Sequence, residues 1–507
     1  MAKDLLAPIT LPCGLVVPNR MVKAALYEHM APLFGGPPNS NHLALYSAWG
    51  EGGWGMILTG NIQVSQEHLT LGRDITPPDN LTTKTIEPFR RLADAIHANS
   101  TTEEGRPLAI MQLSHAGRQS TNFIGGRRFL VPPKAPSAVG LKLDNAAPRL
   151  LPTASHALSQ LLFQNPVEMT LDDIEETVRA FVRSAQLAHA SGFDGVELHA
   201  GHGYLLAQFI SPESNKRTDD YSAVTAPLHF LRRIISQIDG VLPSTFAIGV
   251  KLNAADYTQA QADNEERFVQ HILDIARWSR VDFVEISGGS YERTDFIGHV
   301  PSRASRRQAL FSLASERAVK ELTAWQQANP NAKRPLIILT GGLCSLDLMT
   351  AALQDRHADM LGIGRLSILC PHLPKRLIQS GAITDISHET STASSREPWE
   401  TRSMQSPPSP AYSVMRGILK VLARQYTLIP ATLRPQIPKL VGTGAEIAWY
   451  TVAMRLVPDM AKGEWVSLPT TGLEAVLSMW LYVAPGRWNT WMILVLIPLL
   501  AIISISF

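Results

Sequence analysis

The sequence predicts an α/β fold, a (β/α)8 TIM barrel followed by a C-terminal helical extension that anchors in a membrane. Three observations lead there. Short apolar runs alternate with helix-length segments before residue 390. Strands without polar alternation are buried on both faces, as in a parallel sheet covered by helices. Eight such units in about 350 residues suit a barrel. No Gly-x-Gly-x-x-Gly opens the first strand-to-helix turn, which weighs against a doubly wound sheet.

The eight strand candidates are, in order, Met21-Val-Lys-Ala, Met56-Ile-Leu-Thr, Leu108-Ala-Ile-Met-Gln-Leu and Gly195-Val-Glu-Leu-His, then Ala247-Ile-Gly-Val-Lys-Leu, Phe283-Val-Glu-Ile-Ser, Leu336-Ile-Ile-Leu-Thr and Met360-Leu-Gly-Ile-Gly. Thr170 to Ser191 is the best-marked helix between them, because Thr170-Leu-Asp-Asp supplies a cap and acids in the first turn. The barrel is expected over residues 1–385. Residues 386–410, with Ser406-Pro-Pro-Ser-Pro410, read as a linker, since such composition buries little apolar surface. The helical extension then occupies 411–507. Arg416, Lys420 and Arg424 form a basic stripe beside Val414, Ile418, Leu419, Val421 and Leu422, as on a membrane-surface helix or one packed on protein.

The apolar tail 491–507 has 17 residues without a charge, and Trp488 and Trp491 stand at its upstream edge. As a helix it is roughly 25 Å long, the lower limit for crossing a bilayer core. A buried core helix is the competing reading. Leu473 to Ala484 is apolar apart from Glu474, so a two-span hairpin turning at Pro485-Gly486-Arg487 is a further alternative. The N-terminus lacks the apolar region of a secretory signal.

Composition excludes several classes. Of 507 residues, 45% are hydrophobic and 18% charged, so a large core is within reach and disorder is not expected. The 46 Lys+Arg nearly cancel the 44 Asp+Glu, which gives no case for a nucleic-acid partner. Cys13, Cys344 and Cys370 are too few and scattered for a disulfide framework or an iron–sulfur cluster, and they suit a reducing compartment.

Barrel enzymes carry their chemistry at the C-terminal ends of the strands. Here the third ends Gln112-Leu-Ser-His115-Ala-Gly-Arg118, and the fourth runs Glu197-Leu-His199-Ala-Gly-His202-Gly-Tyr204. The fifth closes at Lys251 and the sixth at Ser287-Gly-Gly-Ser. The seventh ends Thr340-Gly341-Gly342 and the eighth Gly364-Arg365, which together are what a phosphate site needs, although each Gly-Gly alone is more often a turn. His199 and His202 have the spacing of half a metal site, but no third ligand is evident. Two imidazoles holding a substrate oxygen, with Tyr204 as proton source, account for the block better than a metal or a packed core pair.

The Glu197–Tyr204 block, continued by Asn215-Lys-Arg217-Thr-Asp219-Asp-Tyr221, resembles the signature of the old yellow enzyme family, FMN-containing NAD(P)H:flavin oxidoreductases. Pro18-Asn19-Arg20, Gln112 to Arg118, Pro136-Ser137-Ala138, Thr340-Gly341-Gly342 and Gly364-Arg365 extend the resemblance over about residues 1–375. It implies a flavin-bearing barrel and a ping-pong cycle in which NADPH or NADH donates hydride that ends on an activated alkene. By position, His199 and His202 would bind the substrate's carbonyl or nitro oxygen, and Tyr204 would protonate the α-carbon. Gln112 would bond the flavin's pyrimidine edge and Lys251 would sit near its N1–C2 carbonyl. Ala25, Leu26, Tyr27 and Gly60 match positions lining the isoalloxazine, and Gly341, Gly342, Gly364 and Arg365 match the phosphate cradle.

Three departures stand out. Lys251 replaces a usual Arg, a point charge for a forked contact. Tyr27 replaces a smaller Thr or Cys, and Ser-Ala-Val-Thr-Ala-Pro follows Tyr221 where the family has Gly-Gly-Ser and then Glu-Asn-Arg. The three cysteines do not suit the larger relatives that carry a cysteine cluster. The resulting expectation is a membrane-tethered ene-reductase acting on a lipophilic enone or enal, with its catalytic domain cytosolic and the endoplasmic reticulum favoured. An isomerase using the same site without net NAD(P)H consumption, and a scaffold with an inactive barrel, are the alternatives.

Overall fold

Alternation along each strand sends every second side chain inward, and parallel pairing lets eight such strands close on themselves. A computed structural model describes residues 2–98, 105–141, 162–257, 263–287, 301–380, 444–464, 466, 468–469 and 472–482. The barrel strands are β1 Met21–Lys23, β2 Met56–Leu58, β3 Leu108–Ser114, β4 Gly195–Ala200, β5 Ala247–Asn253, β6 Phe283–Ser287, β7 Leu336–Thr340 and β8 Met360–Ile363. Each pairs in parallel with the next, and β8 pairs with β1, which closes the barrel. All eight coincide with the apolar runs read from the sequence.

Helices α1 Ser40–Gly50, α2 Thr83–Ile96, α3 Leu171–Ala190, α4 Leu205–Ile210, α5 His229–Asp239, α6 Asp263–Arg277, α7 Pro301–Ala328 and α8 Leu346–Gln354 separate the strands. The start of α3 is as expected. Thr170 caps it, and Asp173 completes the reciprocal capping box. The lower barrel is filled by Val22, Met56, Leu108, Ile110, Ala247, Phe283, Ile338 and Met360, beneath which an antiparallel hairpin of Ile9–Thr10 and Val16–Val17 forms a plug. Above this layer the inward positions turn polar, with Gln112, Glu197, Lys251 and Glu285 buried where the strands run toward their following loops.

After the short helix α9 Arg365–Leu369, the described residues of the extension form α10 Gly444–Met454, α11 Val457–Ala461 and α12 Gly472–Trp480. The sequence places the extension outside the barrel. Its described helices instead join the barrel's own core cluster through Ala448, Trp449, Val452, Ala453, Met454, Val457, Ala475 and Met479. α10 packs on α12 and touches α9, while α11 lies on α1.

Membrane expectations change accordingly. The apolar stretch beginning at Leu473, one limb of the alternative two-span hairpin, forms a nine-residue helix that buries Glu474, Ser478 and Met479 against protein. At roughly 13 Å it is far too short to span a bilayer. Among the described residues no helix is long and apolar enough to cross a membrane. The linker 386–410, the basic stripe and the tail 491–507 lie outside the described residues.

Candidate active site

β4 delivers His199 into the barrel mouth, and the turn after it brings His202 and Tyr204 alongside. His202 has φ 55 and Gly203 φ 72, so the chain reverses through two left-handed residues. Gln119 braces the turn by donating from Nε2 to His202 O at 2.8 Å. Hydrogen bonds assign the tautomers. Gly201 N–H donates to His199 Nδ1 (3.3 Å), so the His199 proton resides on Nε2. That N–H donates to His202 Nδ1 at 3.2 Å, which leaves the His202 proton on Nε2, 3.5 Å from Ser287 Oγ.

Both rings are neutral. Burial, then the neighbouring His202 ring and the Lys251 charge, holds His199 well below the ordinary imidazole range. Burial, then Lys251, pushes His202 down to about 3. Neutral imidazoles can donate an N–H to an oxygen gaining negative charge without themselves titrating near neutrality. Tyr204 is buried, its ring meets His199 edge-on at 4.8 Å, and its hydroxyl oxygen accepts from Asn61 Nδ2 at 3.0 Å. The structure thus brings His199, His202 and Tyr204 together as the sequence predicts.

Beneath them lies a layer of buried polar groups. Gln112 Nε2 donates to Glu197 Oε1 (2.6 Å), and Lys251 Nζ donates to Glu285 Oε1 (2.7 Å). Burial and the neighbouring Glu285 carboxylate push Glu197 well above the carboxylate range, so it is held protonated. Burial opposes the charges of Lys251 and Glu285, but each sustains the other: the ammonium is held above its ordinary value and the carboxyl below. Lys251 is therefore half of an ion pair.

The candidates for lining an isoalloxazine make the following contacts with protein. Ala25 packs against the lower core and Leu26 against the main one. Tyr27 directs its phenol to the buried Asp74 carboxyl, which burial pushes up to about 7. Gly60 is glycine because of protein. A Cβ there would lie 2.0 Å from Glu28 Oε2 and 2.3 Å from Leu26 O, and its N–H already meets Glu28 (2.9 Å) and the Tyr46 hydroxyl (2.8 Å).

Gly341 and Gly342 turn with φ 129 and 70, conformations glycine adopts at little cost. Gly364 precedes α9, where a Cβ would make ordinary contact with Leu26 at 3.7 Å. The Arg365 side chain pairs with Glu446 of the extension and lies near the Tyr450 ring. The extension thus reaches the proposed cradle.

Sequence reasoning missed Asn61, Asp74 and Glu285, and gave Glu197 and Ser287, though named at their strand ends, no role of their own. Period-two spacing would have found some of them. Glu197 stands two residues before His199, and Glu285 two before Ser287, so each shares the inward face of its strand. Asn61 and Asp74 carry no such signal, because they lie on the connection after β2. Among the described residues no group of His, Cys, Asp or Glu is arranged to hold a metal ion.

Comparison with known proteins agrees with this geometry. Residues 4–383 match the NADH:flavin oxidoreductase / NADH oxidase family. An NADH-dependent flavin oxidoreductase of Neonectria sp. (strain DH2) is 37% identical over 385 residues, 75% of this chain and 48% of that protein, so the match spans about half its length. One of Talaromyces variabilis is 36% identical over 377 residues, 73% of this chain and 85% of that protein. The structure of an old yellow enzyme homologue from Zymomonas mobilis shares the fold with a TM-score of 0.54 at 21% identity, over 80% of this chain and 97% of that one.

The cofactors that go with this family are FMN and a reduced nicotinamide. The residues fit a flavin. Gln112 Oε1 is buried and takes no hydrogen bond from the described residues, which suits an N–H donor such as a flavin's pyrimidine edge. The upper barrel thus offers an unsatisfied acceptor beside a buried ammonium, below two neutral imidazoles and a phenol, and the chain belongs to the NADH:flavin oxidoreductase / NADH oxidase family, that of old yellow enzyme.

Proposed function

We propose that this chain is an FMN-dependent, NAD(P)H-consuming ene-reductase that reduces the activated C=C bond of lipophilic α,β-unsaturated carbonyl compounds in a ping-pong cycle. The observation that carries the reading is the pair of neutral imidazoles and the buried phenol gathered at the end of β4. Bound FMN supplies a two-electron carrier, so that hydride from NAD(P)H and hydride delivery to the β-carbon occur in separate steps. His199 and His202 hold the substrate oxygen and stabilise its growing charge; one such donor is typically worth ~10²–10³ in rate. Tyr204 gives its proton to the α-carbon, a contribution of ~10²–10⁴ for a positioned acid. The names of the relatives make NADH the donor to test first.

The test is a visible spectrum of the full chain taken anaerobically with NADH and then a simple enone. A flavin band that bleaches with NADH and returns with enone supports the reading. Bleaching without return moves the search to other acceptors, and absence of a flavin band after FMN is supplied ends the assignment. The same three groups polarise a carbonyl and carry a proton without hydride, which favours a flavin-dependent isomerase as second reading. Product formed without NADH consumption would establish it.

A bilayer tether at residues 491–507 belongs to the proposal, supported by 17 uncharged residues beside two tryptophans. Co-flotation with phospholipid vesicles, lost on deleting 491–507, is the expected result.

A further inference from the structure

The family match ends at residue 383, yet α10 and α12 share the barrel's core cluster. Two contacts of the extension fall on segments that carry flavin candidates. Glu446, in the first turn of α10, pairs with Arg365. Arg455, the residue after α10, donates to His29 O at 3.4 Å on the loop that follows β1. That loop also carries Ala25, Leu26 and Tyr27. The two segments adjoin, since a Cβ on Gly364 would lie 3.7 Å from Leu26 Cδ2.

At the first contact, Arg365 is a half-exposed side chain with a long flexible stem, and Glu446 is buried. Ordering such a stem around an anion costs affinity unless the protein has already ordered it. α10 can do this because Ala448, Trp449, Val452 and Ala453 lock it into the core, and Trp449 Nε1 donates to Pro469 O at 2.9 Å. Glu446 therefore holds Arg365 Nη1 from a rigid support, with the Tyr450 ring 5.8 Å from the guanidinium carbon. A guanidinium has five N–H donors in a planar fork, more than one carboxylate takes, so a held Arg365 can still meet phosphate oxygens.

At the second contact, Tyr482 follows α12 and donates to Met30 O at 3.0 Å, while Asn41 Nδ2 donates to its hydroxyl at 3.1 Å. The guanidinium carbons of Arg73 and Arg455 lie 4.2 and 4.6 Å from its ring. Arg73 in turn donates to Ala31 O at 3.2 Å. The end of the loop after β1 is thus fastened to the extension at His29 and Met30.

We infer that the extension is a working part of the flavin site. Glu446 is a positioning residue that sets Arg365 for the phosphate, Arg455 and Tyr482 hold the loop that lines the ring, and FMN and the docked extension stabilise each other. This rests on Arg365 and residues 25–27 flanking the flavin. Coupling of this kind is reciprocal, so it is readable from either partner.

The experiment titrates full-length protein freed of flavin with FMN and with riboflavin, which lacks the phosphate, and reads quenching of flavin fluorescence. In Glu446→Ala, FMN should bind roughly 2–12-fold more weakly, the cost of ordering one long side chain, with riboflavin unmoved. Glu446→Gln keeps an oxygen for the guanidinium and should recover part of that loss. Arg455→Met should weaken both flavins by the same factor. FMN should also slow hydrogen exchange over 444–454 and 472–482 in wild type, and no longer slow it over 444–454 in Glu446→Ala. Equal weakening of both flavins by Glu446→Ala, tighter FMN binding, or exchange over 444–482 that ignores FMN overturns the inference. If Arg365→Met leaves the ratio of FMN to riboflavin affinity unchanged, the phosphate role of Arg365 itself fails. A ratio lowered by Arg365→Met and unmoved by Glu446→Ala refutes Glu446 alone. Should Glu446→Ala not fold, Glu446→Gln carries the test, with FMN weakened and riboflavin unmoved.

Discussion

Arg455 tests the union of extension and barrel, because it is the side chain that ties α12 to the loop after β1. Its guanidinium donates to Ser478 O at 3.0 Å and Met479 O at 3.2 Å, in the last turn of α12, and to His29 O at 3.4 Å. It also lies over the Tyr482 ring at 4.6 Å, and Tyr482 donates to Met30 O at 3.0 Å. A cation in this place meets the unsatisfied carbonyls and negative dipole of a helix C-terminus. Two good charge-assisted bonds contribute ~3–6 kcal/mol. Against this, burial lowers the Arg455 pKa to about 10. At 1.36 kcal/mol per unit, that opposes the bonds by about 3 kcal/mol.

Arg455→Met keeps most of the apolar stem and removes the donors. The balance leaves up to ~3 kcal/mol of docking to be lost, so the undocked population should rise by up to roughly 150-fold at pH 7. Hydrogen exchange read by peptide mass spectrometry is the assay. Peptides covering 472–482 and the His29 loop should lose protection together, while the β5 and β6 strands keep theirs. Unchanged protection over 472–482 in Arg455→Met would refute the reasoning, as would uniform loss across the barrel.

Three further outcomes follow from the buried charges and contacts. Burial lowers His29, His115 and His202 to about 3 and His271 to about 4, so the unfolded chain takes up protons that the folded one refuses. Stability is present above about pH 6.5 and should fall below it by roughly 1.4 kcal/mol per unit for each ring, read by urea denaturation at pH 7.5 and 5.5; equal midpoints would contradict this. Glu285→Leu strands the Lys251 ammonium and should cost ~3–5 kcal/mol in the same assay, with Lys251→Met/Glu285→Leu recovering much of the loss. Gly60→Ala forces a Cβ into Glu28 and Leu26 and should cost ~1–3 kcal/mol; flavin absorbance after gel filtration should show weaker FMN retention.

The barrel was legible because its strands are continuously apolar and their ends carry the chemistry, so Met21, Leu108 and Gly195 announce themselves by pattern alone. His199, His202 and Tyr204 were legible because one short turn holds all three. Tyr27 was named from the resemblance, but Asp74, which its phenol faces, lies across another loop, and no local spacing connects them. The alternative of a second span from Leu473 fails for a physical reason. Leu473 to Trp480 is nearly all apolar, and apolarity alone does not distinguish a helix buried in protein from one in lipid; the deciding facts are its nine-residue length and the buried Glu474. A carboxyl inside an apolar run should have counted toward a protein environment, where hydrogen bonds can satisfy it.

The same asymmetry governs the active site. Beneath the mouth, Lys251 and Glu285 form a pair and Glu197 is held protonated, so this cluster presents no net charge of its own to whatever sits above it. At the mouth the imidazoles are neutral. Stabilisation of a substrate oxygen must then come from directed N–H bonds, and these are spoken for in part: His199 Nε2–H already donates to His202, and only the His202 Nε2–H, facing Ser287 at 3.5 Å, has a weak partner. A substrate oxygen that enters takes the His202 donor with little lost, but can engage His199 only by displacing the bond between the rings. The two imidazoles are therefore unequal: His202 is ready to bind, and His199 becomes a second donor as the oxygen's charge grows enough to outcompete an imidazole nitrogen. A donor recruited by charge favours the transition state over the bound substrate, and this difference is what accelerates a reaction.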